Sequence, residues 1–100
     1  MRVELRAEAR HDLVEGAWFY EQQREGLGDY FTDRLFEDLG RLETEAGIHA
    51  TVFGLHRKMS KRFPFAIYYR IEASVIEVVA ILDCRRVPDA IAARLRRTNG

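Results

Sequence analysis

Six cationic side chains stand in two short runs in the second half of the sequence. Arg57, Lys58, Lys61 and Arg62 form one run, and Arg85 and Arg86 form the other. Between them lies FPFAIYYRIEASVIEVVAILD, residues 63–83, which reads as two β-strands joined by a tight turn at Glu72, Ala73 and Ser74. In an antiparallel pair the start of one strand and the end of the next share an edge, so the two runs converge. Converging Arg and Lys are what phosphate recognition, or stabilisation of a phosphodiester transition state, requires. The plainer reading is a solvated rim that keeps sheet edges from pairing with other molecules.

Other chemistries find little support. His11, His49 and His56 fall in three separate elements without ligand spacing, so no metal site is expected. The glycines of GLG lie between two helices and not after a strand, which excludes a phosphate loop, and no bound cofactor is expected. There is no GxSxG, and Cys84 has no partner in the sequence for nucleophilic catalysis or a disulfide. Its plain role is a small, half-buried residue at a strand end, in a chain suited to a reducing cytoplasm.

The strands that carry the cations must sit in a single domain spanning residues 1–100, with 47% apolar composition. No apolar stretch is long enough to span a bilayer, and MRVELRAEARHD is too charged for a signal peptide, so no membrane partner is expected. Formal net charge is zero. Yet residues 1–50 hold 6 basic and 12 acidic side chains, and residues 51–100 hold 10 and 4. A chain divided in this way presents a surface for an anionic partner unless the fold interleaves its halves.

The remaining elements follow from periodicity. RVELR, residues 2–6, alternates and predicts a short edge strand. Ala9, Leu13, Ala17 and Tyr20 mark a helix over residues 7–23, with Val14 and Trp18 widening its buried stripe and Gly16 allowing close approach of a neighbour. Glycines 26 and 28 turn the chain. Asp29 then caps, or stands in the first turn of, a second helix that buries Phe31, Leu35, Leu39, Leu42 and Ala46, with Tyr30 and Phe36 alongside and Gly47 ending it. Residues 51–55 form a strand candidate leading into a basic connector, 56–62. Pro88 opens a last helix that carries Ile91 and Leu95 on one side. The order is β-α-α-β-β-β plus a C-terminal helix. It predicts a two-layer α+β fold, with the helical hairpin on one face of an antiparallel sheet.

The opposite face is expected to carry Tyr68 and Arg70 on one strand and Val75, Val79 and Ile81, or their neighbours, on the next. One short tail helix covers little of such a face, and uncovered apolar surface predicts a partner site.

The pieces WFYEQQREGLGDYF, FTDRLFEDLGRL, FPFAIYYRIEASVIEVVAILD and CRRVP together resemble the ParE/RelE superfamily of toxins from type II toxin–antitoxin operons, also called plasmid stabilisation proteins. The resemblance covers nearly the whole chain. It implies a curved antiparallel sheet with an N-terminal helical hairpin. It also implies a cytoplasmic bacterial toxin forming a hetero-oligomer with a cognate antitoxin, whose contacts would fall on Tyr68, Arg70, Val79, Ile81, Ile91 and Leu95. Two targets are implied. RelE-like members are mRNA interferases that cleave mRNA in the ribosome with Lys and Arg around the sheet and a tyrosine near the C-terminus. ParE-like members inhibit DNA gyrase without being nucleases. After Arg85 and Arg86 this sequence reads VPDAIAARLRRTNG, with no tyrosine, and its net charge is not that of a basic protein. The ParE-like reading is therefore the expected one, with Arg57, Lys58, Lys61, Arg62, Arg85 and Arg86 touching the target. In an endoribonuclease, Lys58, Lys61, Arg62, Arg85 and Arg86 would serve the reaction, with His56 as a substitute general base; the remaining alternative is an inactive relative that acts only as a protein-binding module.

Overall fold

The computed structural model describes residues 1–99. In chain order the elements are β1 (Arg2–Leu5), α1 (Ala7–Gln23), α2 (Leu27–Glu45), β2 (Thr51–Val52), β3 (Leu55–Met59), β4 (Phe65–Glu72), β5 (Val75–Asp83) and α3 (Pro88–Asn99). The helical hairpin packs on one face of a five-stranded sheet of order β1-β5-β4-β3-β2, and α3 packs on the other. The α+β expectation holds, with two corrections. The sheet is mixed, because β1 pairs parallel with β5 while β2 through β5 are antiparallel. The region read as a strand and a basic connector is in fact a second hairpin. Phe53 and Gly54 both take positive φ (53° and 79°), the primed turn that matches strand twist, so residues 56–59 belong to β3.

Alternation places Phe65, Ile67 and Tyr69 of β4 under the hairpin, and Ala66 and Tyr68 under α3. In β5 the alternation slips. Tyr68 pairs with Ala80 and Tyr69 with Val78, leaving Val79 as an extra residue, so Val79 and Ala80 both face α3. One inserted residue reverses every side chain that follows it. Ile81 therefore points into the hairpin core and not toward the opposite face, where the sequence reading put it.

The helices meet at Gly16. A Cβ there would lie 2.6 Å from Cζ of Phe31, so only hydrogen lets α2 approach this closely. Gly47 takes a φ of 95° just beyond the cap of α2, as its position predicts. Asp29 stands in the first turn of α2, where the helix dipole favours it, and does not cap it. The capping work falls to Glu21 of α1, whose carboxylate accepts N–H bonds from Gly26 (3.1 Å) and Gly28 (2.9 Å).

The buried stripes are narrower than the sequence implied. Val14, Trp18, Tyr30 and Phe36 all lie exposed on the outside of the hairpin. In their place α1 buries Asp12, whose Oδ2 accepts the Ile81 N–H (3.0 Å), an amide of β5 beyond the end of β1. Arg94 of α3 closes a fork on the same carboxylate (2.9 and 2.7 Å). Arg6 adds a bond to the Thr98 carbonyl (2.8 Å), tying the tail helix to the start of the chain.

Candidate functional site

Arg57 and Lys58 are neighbours in one strand, so they point to opposite faces. Arg57 bonds Tyr68 and reaches Sγ of Cys84 at 3.6 Å. Those contacts raise its pKa, the Tyr68 bond contributing most. Lys58 is buried on the hairpin side, where its Nζ lies 2.6 Å from Oε1 of Glu45. That bond holds the Glu45 carboxyl below its ordinary range. Lys58 is thus withdrawn from the surface on which the sequence reading placed it.

The other four cations do meet at one end of the sheet. Phe65 pairs with Asp83, and the Cys84 N–H donates to the Pro64 carbonyl at 2.7 Å. This brings the loop bearing Lys61 and Arg62 against the turn bearing Arg85 and Arg86. The loop is pinned from below, where Ser60 Oγ donates to Asp38 (2.7 Å), itself bridged to Arg41 (3.0 Å). Arg85 lies over Asp83 in a two-pronged contact through Nε and Nη2 (3.0 and 2.7 Å), and the same Nη2 also reaches the Tyr20 hydroxyl (3.4 Å). The Arg85 bond lowers the Asp83 pKa, and the pair raises that of Arg85 in return. Lys61, Arg62 and Arg86 are exposed and form no ion pair among the described residues. Aromatic rings crowd the same end. Phe63 sits 4.8 Å from Tyr20 and 5.8 Å from Tyr30 between ring centroids, and Phe19 meets Tyr20 edge-on at 5.2 Å.

The expected partner face is closed. Tyr68, Val79 and Leu95 are buried against one another beneath α3, while Ile91 is half-buried beside them. Arg70 is held by Glu77 at 2.8 Å and by Glu72 at 3.3 Å. The tail helix seals this face because its Ile91 and Leu95 supply the missing apolar cover, and the Arg94 fork fixes its position. Ile81 lies on the far side of the sheet.

The open apolar surface lies elsewhere. A groove of about 550 Å³ runs between α1 and α2, lined by Val14, Ala17, Trp18, Thr32 and Phe36 among others. Val14 and Trp18 are each 66% exposed and Phe36 53%. Sequence reasoning missed this groove because these residues adjoin the true stripe. The signal was an apolar band too wide for one face of a helix. The two helices carry 3 basic and 10 acidic side chains, so the groove runs along an acidic body.

A second network was also missed. The Gly47 N–H donates to the Tyr69 hydroxyl (3.0 Å), which leaves that hydroxyl to donate to Nδ1 of His49 (2.5 Å). The His56 ring stacks on Tyr69 (5.0 Å), and its Nδ1 donates to the His49 carbonyl (2.7 Å). Burial lowers the His49 pKa, against the opposing pull of Glu45, and raises that of Tyr69, so it disfavours the charged form of each. No element of sequence spacing joins residues 47, 49, 56 and 69. The fold alone does so.

No family model and no curated protein matches the chain. Among solved structures, a chain of the "Chromosomal ParDE TA system from P. aeruginosa" superposes with a TM-score of 0.73 at 19% identity, covering 81% of this chain and 92% of that one. At that identity the likeness is one of fold. The N-terminal helical hairpin on a sheet, which the sequence resemblance implies, is the architecture that the chain adopts, with β1 adding a parallel strand to the antiparallel β2–β5.

Proposed function

We propose that this protein is a ParE-like toxin of a type II toxin–antitoxin pair, which binds and inhibits a macromolecular target, DNA gyrase, and is neutralised by a cognate antitoxin. The observation that carries the reading is the whole-fold likeness to a chain of a ParDE system. In this reading the antitoxin lays an amphipathic helix into the groove between α1 and α2, where Trp18, Val14 and Phe36 await an apolar face. The acidic helices call for Lys and Arg flanking that face on the partner. The target meets the cationic end formed by Lys61, Arg62, Arg85 and Arg86, with Arg57 at its margin.

A ribonuclease reading draws less support. Lys58 is neutralised by Glu45, Arg85 is engaged by Asp83, and the His56 Nδ1 is committed to a backbone carbonyl. The deciding experiment is a supercoiling assay with purified gyrase. Inhibition by this protein, relieved by the antitoxin, is the expected result. Full supercoiling at saturating toxin, with growth arrest still seen on expression, moves the target elsewhere. Normal growth on expression overturns the toxin reading itself.

A further inference from the structure

The two edges of the sheet are finished differently. At one edge β2 is only two residues long and offers little to another strand. At the other, β1 pairs with β5 on one side and with no strand on its outer side among the described residues. The Arg2 and Arg6 N–H groups donate to the Ser74 and Val78 carbonyls (3.1 and 2.9 Å). By alternation the N–H and C=O groups of Val3 face outward along the free edge, as does the Leu5 N–H. The strand holds no proline and no bulge, and its two charged side chains, Arg2 and Glu4, are of opposite sign. Beside it lies a hollow of about 500 Å³ lined by Val3, Leu5, Leu13 and Phe36 among others. We propose that this edge pairs with β1 of a second copy, antiparallel about a two-fold axis at Val3, joining the two sheets into one.

The strand's own charges select both the occupant and the register. In a two-fold antiparallel pair, opposed residues point to the same face, so the axis passes through a residue and not between two. An axis at Arg2 opposes Arg2 to its own copy, and one at Glu4 does the same for Glu4; like charges directly opposite destabilise a pair. An axis at Leu5 runs the second strand into α1, which begins at Ala7. Only the axis at Val3 sets Arg2 against Glu4 of the second copy, and does so twice. Both side chains are exposed on one face, where they already meet within the strand at 2.7 Å. The same axis lets the two Val3 residues exchange their N–H···O bonds and brings the Leu5 N–H to the Met1 carbonyl of the second copy. Each hollow adjoins the axis through Val3, so the exposed Phe36 gains apolar cover there.

Neither antitoxin nor target enters this contact, so it is tested on the purified chain alone and fails independently of the toxin reading. Sedimentation equilibrium of the untagged full-length protein, from about 1 μM to 1 mM, should show a reversible passage from monomer to dimer, since so small a contact belongs in the micromolar range. Val3→Pro removes a donor that no bond within the chain uses, and it should abolish the dimer. Glu4→Arg or Arg2→Glu alone opposes like charges and should weaken association at least about tenfold. An equimolar mixture of those two variants opposes unlike charges again and should recover it. All three positions lie on the edge strand, so circular dichroism should show each variant folded. A protein that stays monomeric to about 1 mM, a mixture no better than its components, or a dimer indifferent to all these substitutions overturns the proposal. In the last case, loss of the dimer in Trp18→Ala would place the contact in the groove between α1 and α2.

Discussion

Replacing Arg94 by Met tests whether the tail helix is locked to the rest of the molecule or merely rests on it. The Asp12 side chain is 3% exposed, and its two oxygens accept both prongs of the Arg94 guanidinium as well as the Ile81 N–H. Methionine keeps the stem and removes the charge, leaving a buried carboxylate with one neutral donor. Breaking a buried pair from one side costs about 3–5 kcal/mol, because a charge is stranded. Arg94 retains 16% exposure, so water reaches the site, and about 3 kcal/mol is the expected loss. For a domain of this length that lowers Tm by roughly 12–24 °C. Adding Asp12→Asn removes the stranded charge while its amide oxygen still accepts from Ile81. The double variant should therefore recover about 1.5 kcal/mol or more relative to the sum of the single effects. Urea unfolding followed by far-ultraviolet circular dichroism measures all four proteins. A loss below about 1 kcal/mol for Arg94→Met, or strict additivity in the cycle, refutes the account of the lock.

Three further outcomes are expected. Gly16→Ala destabilises by about 1–3 kcal/mol in urea unfolding, despite alanine's helix preference of about 1 kcal/mol, since the new methyl would stand 2.6 Å from Phe31. Trp18→Ala, at a 66% exposed position, shifts stability by no more than about 0.5 kcal/mol, yet weakens antitoxin binding at least about tenfold in calorimetric titration. Stability falls as pH drops below about 6.5: burial lowers the His49 pKa in the folded chain, so the unfolded chain takes up the proton first. Denaturant midpoints across this range should show that slope, and it should become shallower in His49→Gln.

Local rules carried the sequence reading a long way and then ended at identifiable residues. The bounds of α1, the turn at Ala73 and Ser74, and the opening of α3 at Pro88 follow from side-chain period and backbone chemistry within a few residues. Ile81 was misplaced because the bulge at Val79 depends on how two strands settle, which the pattern of β5 alone does not encode. Val14, Trp18 and Phe36 read as core because apolar type does not distinguish burial by this chain from burial by another. The closed face over Tyr68 was missed because it depends on a fork between residues 82 positions apart, and no window along the chain contains both partners. Of the candidate site, the convergence of Lys61 and Arg62 with Arg85 and Arg86 was legible from strand direction. The withdrawal of Lys58 was not, since its partner Glu45 belongs to another element.

The parallel pairing of β1 with β5 sets the order in which the molecule can be completed. During synthesis β1 has no partner until residues 75–78 emerge, and the bond from Arg6 to Thr98 spans 92 positions. Such a topology has high contact order, so the nascent helical hairpin must persist with its underside bare until the last strands arrive. A protein captured by a partner during that interval would be intercepted before its sheet closes, and translational timing would then govern it as much as binding strength does.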